Sequence, residues 1–375
     1  MPPEPDSWAD SPLPFIPGIE LSAGFYAEVV RPILETAAPG LPYSAALIGY
    51  GSDVLGFDTP LSRDHMWGPR LLVFLPVENF TPTSAALRET VRHRLPLRFR
   101  GYPTHFSSPD GEGVRIMQAS ERGPVEPLIE FHTIPGFLRQ ELGIESIAGL
   151  TPAAWLTFPE QRLLAVTAGA VFHDGLGLED ARAGLAYYPD DVWKYLLACQ
   201  WMRISQEEPF TGRAGQAGDE LGSRIIAARL AQDVMRLGFL YERCYAPYSK
   251  WFGSAYRRLA VSGEVLPWLE AALAARAWPE REAALGRAVL CMAALHNRTG
   301  LTPRLAEEIT SFHLRPFRVL HAERFAEALR AAIEDASLRE LGLFGSVNQF
   351  CTSTDLLESP AGLGRLAVLY HPPVP

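Results

Sequence analysis

The 375-residue chain predicts a small α/β domain built on a mixed sheet, followed by an all-α helical bundle domain. Two observations carry that expectation. Over residues 19–145, short apolar runs closed by glycine or proline alternate with stretches of helical periodicity. From Thr151 onward the sequence reads almost entirely as amphipathic helices. The change of character falls at "LGIESIAGLT", residues 142–151. The expected division is therefore an extended N-terminal arm over 1–18, the α/β domain over 19–145 and the helical domain over 146–375.

In order along the chain, "MPPEPDSWADSPLPFIPG" is acidic and Pro-rich, without the basic and apolar regions of a signal peptide, so a cytoplasmic location is the default. "ELSAGFYAEVVRPILETAA" (20–38) places Phe25, Val29, Val30, Ile33 and Leu34 at helical spacing, with a kink or an early ending expected at Pro32. "SAALIG" (44–49) and "RLLVFL" (70–75) read as buried strands. "TPTSAALRETVRHRL" (81–95) reads as a helix opened by a threonine cap with proline at its first position. "LPLRFRG", "GVRIMQA" and "EPLIEFHTI" read as three further strands. In the second domain, "PDDVWKYLLACQWMRISQEE" opens on proline and two acids, a favoured helix start. The helix from Glu220 carries Ile225, Ile226, Leu230, Val234, Leu237 and Leu240 on one stripe.

Composition narrows the function. The 47% hydrophobic and 21% charged content is that of a globular protein, and no window approaches the ~18 apolar residues of a membrane helix. A net charge of −9 disfavours a broad nucleic-acid face. Cys199, Cys244, Cys291 and Cys351 have no metal-ligand spacing and read as buried thiols. Only Lys194 and Lys250 are lysines among 34 basic residues, so each stands out as a compact point charge.

The stretch richest in chemistry is "IGYGSDVLGFDTPLSRDHMWGPRLLVFL", 48–75. Gly51 and Ser52 follow one strand, and Asp64 shortly precedes the next. Glu130, between Ile129 and Phe131, projects opposite to them on a third. Attack on the α-phosphate of a nucleoside triphosphate needs two divalent cations ~3.5–4 Å apart, held by hard carboxylate oxygens. Two acids at i and i+2 on a strand share a face and supply that grip; a Gly-Ser turn offers N–H groups and a hydroxyl to the phosphates. Here the second acid's place is taken by Met66, whose thioether is a poor Mg2+ ligand. Met66 can be an apolar filler, the mark of a site that binds without turnover, or a loss compensated by Asp53, Asp58 or His65.

On "GSDVLGFDT", "DHMWGPRL", "YPDDVWKYLLACQWMRISQEEPFTGRAGQAGDELGS", "YAPYSKWFGSAYRRL" and "LRPFRVL", the chain resembles the nucleotidyltransferase superfamily, of polymerase-beta-like fold. More closely it resembles bacterial two-domain nucleotidyltransferase-like proteins with a C-terminal helical domain of unknown function. The resemblance implies transfer of a nucleoside monophosphate from a triphosphate such as ATP to a small-molecule hydroxyl, assisted by Mg2+ or Mn2+. Asp64 and Glu130 would hold metal, with Glu126 as the alternate to Glu130. Gly51 and Ser52 would cradle phosphates, and Lys250, with Tyr248 nearby, would meet the triphosphate. Asp219, or Glu220, Glu207 or Glu208, would be the general base. Such proteins typically read Asp-His-Asp-Trp where this chain has Asp64-His65-Met66-Trp67, which puts catalysis in question. The alternatives are a non-catalytic nucleotide- or ligand-binding protein of the same fold, and a transferase acting on protein or tRNA. Each site residue also has a structural reading: Asp64 as a solvated acid, Lys250 as a chain lying along Trp251, and Asp219 and Glu220 as first-turn helix acids. His173-Asp174 reads as part of a turn, "FHDGLG".

Overall fold

The computed structural model describes residues 13–370. The chain divides into two compact units. The first takes the chain up to Ala148 and then Arg162–Ala186; the second takes Gly149–Gln161 and the chain from Tyr187. The change of character at 142–151 is thus followed by a return to the first unit.

Of the arm expected over 1–18, residues 1–12 lie outside the described residues. Residues 13–17 pack down: Phe15 stacks on Trp67 at 5.7 Å, and Tyr102 donates its hydroxyl to the Pro14 carbonyl at 2.7 Å. Helix α1 (Gly18–Phe25) runs through a wider π turn (Tyr26–Val30) into α2 (Arg31–Ala37). Pro32 is the second residue of α2. Its missing N–H and its ring are absorbed by the wide turn before it rather than by a break.

Strands β1 (Ser44–Leu47) and β2 (Arg70–Phe74) are antiparallel neighbours, as their apolar runs predict. Helix α3 spans Phe80–Arg94 and starts before the expected threonine cap, with Asn79 at its N-cap in the left-handed region that asparagine tolerates. The next two strand expectations shrink to two-residue ladders, β3 (Arg98–Phe99) with β4 (Tyr102–Pro103) and β5 (His105–Phe106) with β6 (Met117–Gln118). Arg100 and Gly101 both have positive φ, which closes the first pair as a tight hairpin. Pro103 has no N–H with which to lengthen it.

Strand β7 (Leu128–His132) runs parallel to β2 and is followed by α4 (Ile134–Leu142), capped by Thr133. After α5 (Pro152–Thr157) in the second unit, α6 (Glu160–Thr167) carries the chain back to β8 (Ala170–Asp174). Strand β8 pairs antiparallel with β1, and the sheet order is β7-β2-β1-β8. One face, with Ala45, Leu71, Val73, Ile129 and Phe131, is buried in the core with Phe25, Val30, Leu87 and Val91. Arg70, Leu72 and Phe74 alternate onto the other face, in register with Leu128, Glu130 and His132.

Strand β8 lies in sequence expected to be helical or turn. Gly169, at φ 76°, makes its entry possible, because a side chain there would strike the Leu47 carbonyl. The turn read at "FHDGLG" (172–177) is shorter than expected: Phe172, His173 and Asp174 are the last residues of β8, held there by pairing with β1, and the bend falls on Gly175 and Leu176. Asp174 accepts the Ser44 hydroxyl at 2.7 Å and the N–H groups of Leu178 and Glu179, both at 2.9 Å, at the start of α7 (Leu178–Gly184). Burial would raise its pKa, but these donors together hold the carboxyl down at about 2.

The second unit is mainly helical, with α8 (Asp190–Glu207), α9 (Phe210–Gln216), α10 (Glu220–Tyr241), α11 (Ser249–Tyr256), α12 (Ser262–Ala274), α13 (Trp278–Thr299) and α14 (Glu323–Ala331). A two-residue ladder, β9 (Thr310–Ser311) with β10 (Arg318–Val319), interrupts it. Leu230, Val234, Leu237 and Leu240 of α10 are buried as expected, but Ile225 is half exposed, so the apolar stripe is narrower at the start of that helix. Inside this unit Trp201 Nε1 donates to the Tyr241 hydroxyl at 2.6 Å, and that hydroxyl meets His296 Nδ1 at 2.8 Å. The Nε2 of His296 faces the Thr302 hydroxyl, also at 2.8 Å. Among the described residues no helix is long and apolar enough to cross a membrane.

Candidate functional site

The loop after β1 is organised around a buried ion pair. Arg70, the first residue of β2, is bidentate on Asp53, with Nη2 at 2.7 Å from Oδ1 and Nε at 3.1 Å from Oδ2. Both side chains are 1% exposed. The same Nη2 donates to the Tyr50 carbonyl at 2.6 Å, and the guanidinium lies 4.7 Å from the centre of the Tyr50 ring. Gly51, at φ 122°, sits against this pair; a Cβ there would collide with Asp53 Oδ1 and Arg70 Nη2. Its glycine is required by that close approach.

Ser52 donates to the Ser62 hydroxyl at 3.2 Å, and its carbonyl accepts the Phe57 N–H at 2.7 Å. Ser62 belongs to a capping box with Thr59 that opens a 3-10 turn, Pro60–Asp64. Ser52 thus touches the turn that carries Asp64. Asp58 accepts the Gly18 N–H at 2.7 Å and Trp67 Nε1 at 2.9 Å, tying the start of α1 to the loop.

Asp64 ends the 3-10 turn instead of beginning a strand. It is exposed, and its oxygens face its neighbour: Oδ1 accepts the His65 N–H at 3.1 Å and Oδ2 lies 2.9 Å from His65 Nδ1. Met66 has φ 50°. Its Sδ accepts the Arg115 N–H at 3.1 Å, and its side chain packs against the core of the first unit. The expected i, i+2 alternation of residues 64 and 66 is therefore absent: a left-handed residue cannot continue a strand.

Glu130 stands on β7 as expected, on the face opposite Ile129 and Phe131. Tyr50 donates its hydroxyl to Oε1 at 2.8 Å, and His132 Nε2 lies 3.3 Å from Oε2. Burial pushes the carboxyl up, but His132, Tyr50 and the Arg70 charge together bring it below its ordinary value. Burial, with Glu130 beside it, raises Tyr50, which stays a hydroxyl donor. Glu126, the alternate ligand, pairs with Arg92.

These residues do not fit a divalent-metal pair as they stand. Asp53, Asp58, Asp64 and Glu130 are each engaged by protein donors, Asp64 and Glu130 share no partner, and position 66 offers sulfur. Among the described residues no three His, Cys, Asp or Glu side chains gather as a metal-holding group.

The remaining expected residues belong to the second unit. Asp219 is the N-cap of α10, accepting the Gly222 N–H at 2.7 Å. Glu220 binds Arg281 at 3.0 Å, and Glu207 pairs with Arg229 at 2.7 Å. Glu208 accepts the N–H groups of Leu320 and Ala322, while burial lifts its carboxyl to about 7. Tyr248 accepts Trp251 Nε1 at 2.9 Å, and the Lys250 ammonium lies 5.0 Å from the centre of the Trp251 ring. Each of these has a structural partner.

Sequence reasoning missed Tyr50, Arg70 and His132. The available signals were a tyrosine between two glycines, an arginine opening an apolar strand, and a histidine two residues beyond Glu130 and so on the same face.

Residues 155–252 match the family described as Domain of unknown function (DUF4037). No curated protein matches the chain. Among solved structures, the chain is similar to a nucleotidyltransferase-like protein from Exiguobacterium sibiricum 255-15, at 12% identity and a TM-score of 0.31, over 81% of this chain and 88% of that one. A likeness at that score carries no argument about this chain's chemistry, which rests on its own residues.

Proposed function

We propose that the first unit is a nucleotide-binding module of nucleotidyltransferase type in which metal-dependent transfer is weak or lost. The observation that carries this reading is Met66: the residue in the second carboxylate's place has its thioether turned to the Arg115 N–H. The Gly51–Ser52 turn between two adjacent strands supports phosphate binding. The competing reading is Mg2+- or Mn2+-assisted transfer to a small-molecule hydroxyl, with metal on Asp64 and Glu130.

Calorimetric titration with ATP, with and without Mg2+ or Mn2+, followed by a pyrophosphate-release assay, separates the two. Binding without release is the expected result. Metal-dependent pyrophosphate release restores the transferase reading, and absence of ATP binding removes both. Ser52→Ala is expected to weaken ATP by about 0.5–1.5 kcal/mol, the worth of one neutral hydrogen bond.

A further inference from the structure

Glu130 and His132 are two residues apart on β7, which lies at one edge of the sheet. They share the face that carries Arg70 and Leu72. Tyr50 reaches Glu130 from the loop after β1, on the far side of β2. The Glu130 side chain is 36% exposed and Tyr50 is 41% exposed, so the group is open to a ligand.

An ionised carboxylate offers about four lone-pair positions. Tyr50 takes one on Oε1, and His132 faces Oε2. Each oxygen keeps one acceptor position, on the two arms of one carboxylate. A matching ligand presents two adjacent donors. Two neutral hydroxyls lose less hydration on approach than an ammonium or a divalent cation, and they need no displacement of the Tyr50 proton. The exposed Tyr50 ring borders the same position.

We infer that Glu130, held in place by Tyr50 and His132, receives the vicinal diol of a ribose and is not a metal ligand. This rests on the nucleotide-binding reading above. The same chemistry could come from a free polyol, which the experiment distinguishes.

The test is calorimetric titration of the full chain in EDTA with ATP, 2′-deoxy-ATP, 3′-deoxy-ATP and D-ribose, for wild type and Glu130→Gln. Wild type is expected to bind ATP roughly tenfold tighter than either deoxy analogue, the order of one charge-assisted hydrogen bond. Glu130→Gln is expected to bind all three nucleotides within about twofold of one another. The wild-type ratio needs no variant, so a poorly folded Glu130→Gln does not shelter the proposal. Equal wild-type affinity for ATP and its deoxy analogues overturns the diol assignment and leaves nucleotide binding standing. Absence of ATP binding overturns both. Glu130-dependent binding of D-ribose without discrimination among the nucleotides overturns the assignment in favour of a free polyol.

Discussion

The Met66 sulfur accepts the Arg115 N–H at 3.1 Å, while the Met66 N–H is donated to the Arg115 carbonyl at 2.9 Å. This two-way tether binds the loop before β2 to the segment before β6. Met66→Asp is therefore expected to lose about 1–2 kcal/mol of stability through lost apolar packing. Mn2+ affinity is not expected to rise, since residue 66 does not share a strand face with Asp64. Paired measurement of melting temperature and Mn2+ binding checks this; a gain in Mn2+ affinity would return residue 66 to a metal site.

Gly51→Ala introduces a methyl against Asp53 and Arg70 at a φ of 122°. Strain and displacement of the buried pair are expected to cost roughly 2 kcal/mol or more. Urea unfolding is the readout, and a loss under 0.5 kcal/mol would show that the loop adapts freely.

Arg70→Met strands the Asp53 carboxylate in the interior, at an expected cost of about 3–5 kcal/mol. The double variant Asp53→Leu/Arg70→Met removes both charges and is expected to recover a large part of that loss. A double-mutant cycle by urea denaturation reads the coupling. Strict additivity would mean that the pair contributes nothing beyond its members.

Two groups, buried His296 and half-buried Glu208, tilt stability in opposite directions with pH. Burial lowers His296 to about 4, so its neutral form is favoured on folding. Its contribution is present above the unfolded value of ~6.5 and is lost as pH falls toward 4. Thr302 gives its hydroxyl proton to the Pro303 carbonyl at 3.0 Å, so His296 Nε2 carries the proton facing Thr302 and Nδ1 accepts the Tyr241 hydroxyl; protonation of Nδ1 breaks that chain. Glu208 is raised to about 7, so its contribution is present below ~4.5 and is lost as pH rises through 7. Relative to wild type, His296→Gln is expected to lose the rise in stability between pH 4.5 and 6.5. Glu208→Gln is expected to lose the opposing fall, each by up to about 3 kcal/mol across its window. Urea midpoints at pH 5 and pH 7 for the three proteins measure both slopes. Parallel profiles would show that neither group titrates on unfolding.

The legible elements were those that sequence neighbours decide. Apolar runs ended by Gly49 and Pro76 marked β1 and β2, and Pro189 with two acids marked α8. Strand β8 was not legible, because its partner is β1 and the Ser44–Asp174 contact spans 130 residues. The site divided in the same way. Ser52 and Glu130 could be placed from their local setting, Glu130 by alternation between Ile129 and Phe131. Asp64 and Met66 could not, since a 3-10 turn and a left-handed residue replace the assumed strand. Tyr50, Arg70 and His132 gain meaning only from partners; the Tyr50 hydroxyl finds Glu130 80 residues away.

That late return of β8 has a consequence for synthesis. A chain made from its N-terminus exposes β1, β2 and β7 long before Ala170–Asp174 leaves the ribosome. Until then the free side of β1 is a row of unpaired N–H and C=O groups, open to any passing strand. A nascent chain stalled, or a finished chain cleaved, between Ala148 and Ala170 would keep that row permanently open. The segment that closes it arrives only after α5 of the second unit has been made, so β1 needs shielding for the whole of that interval.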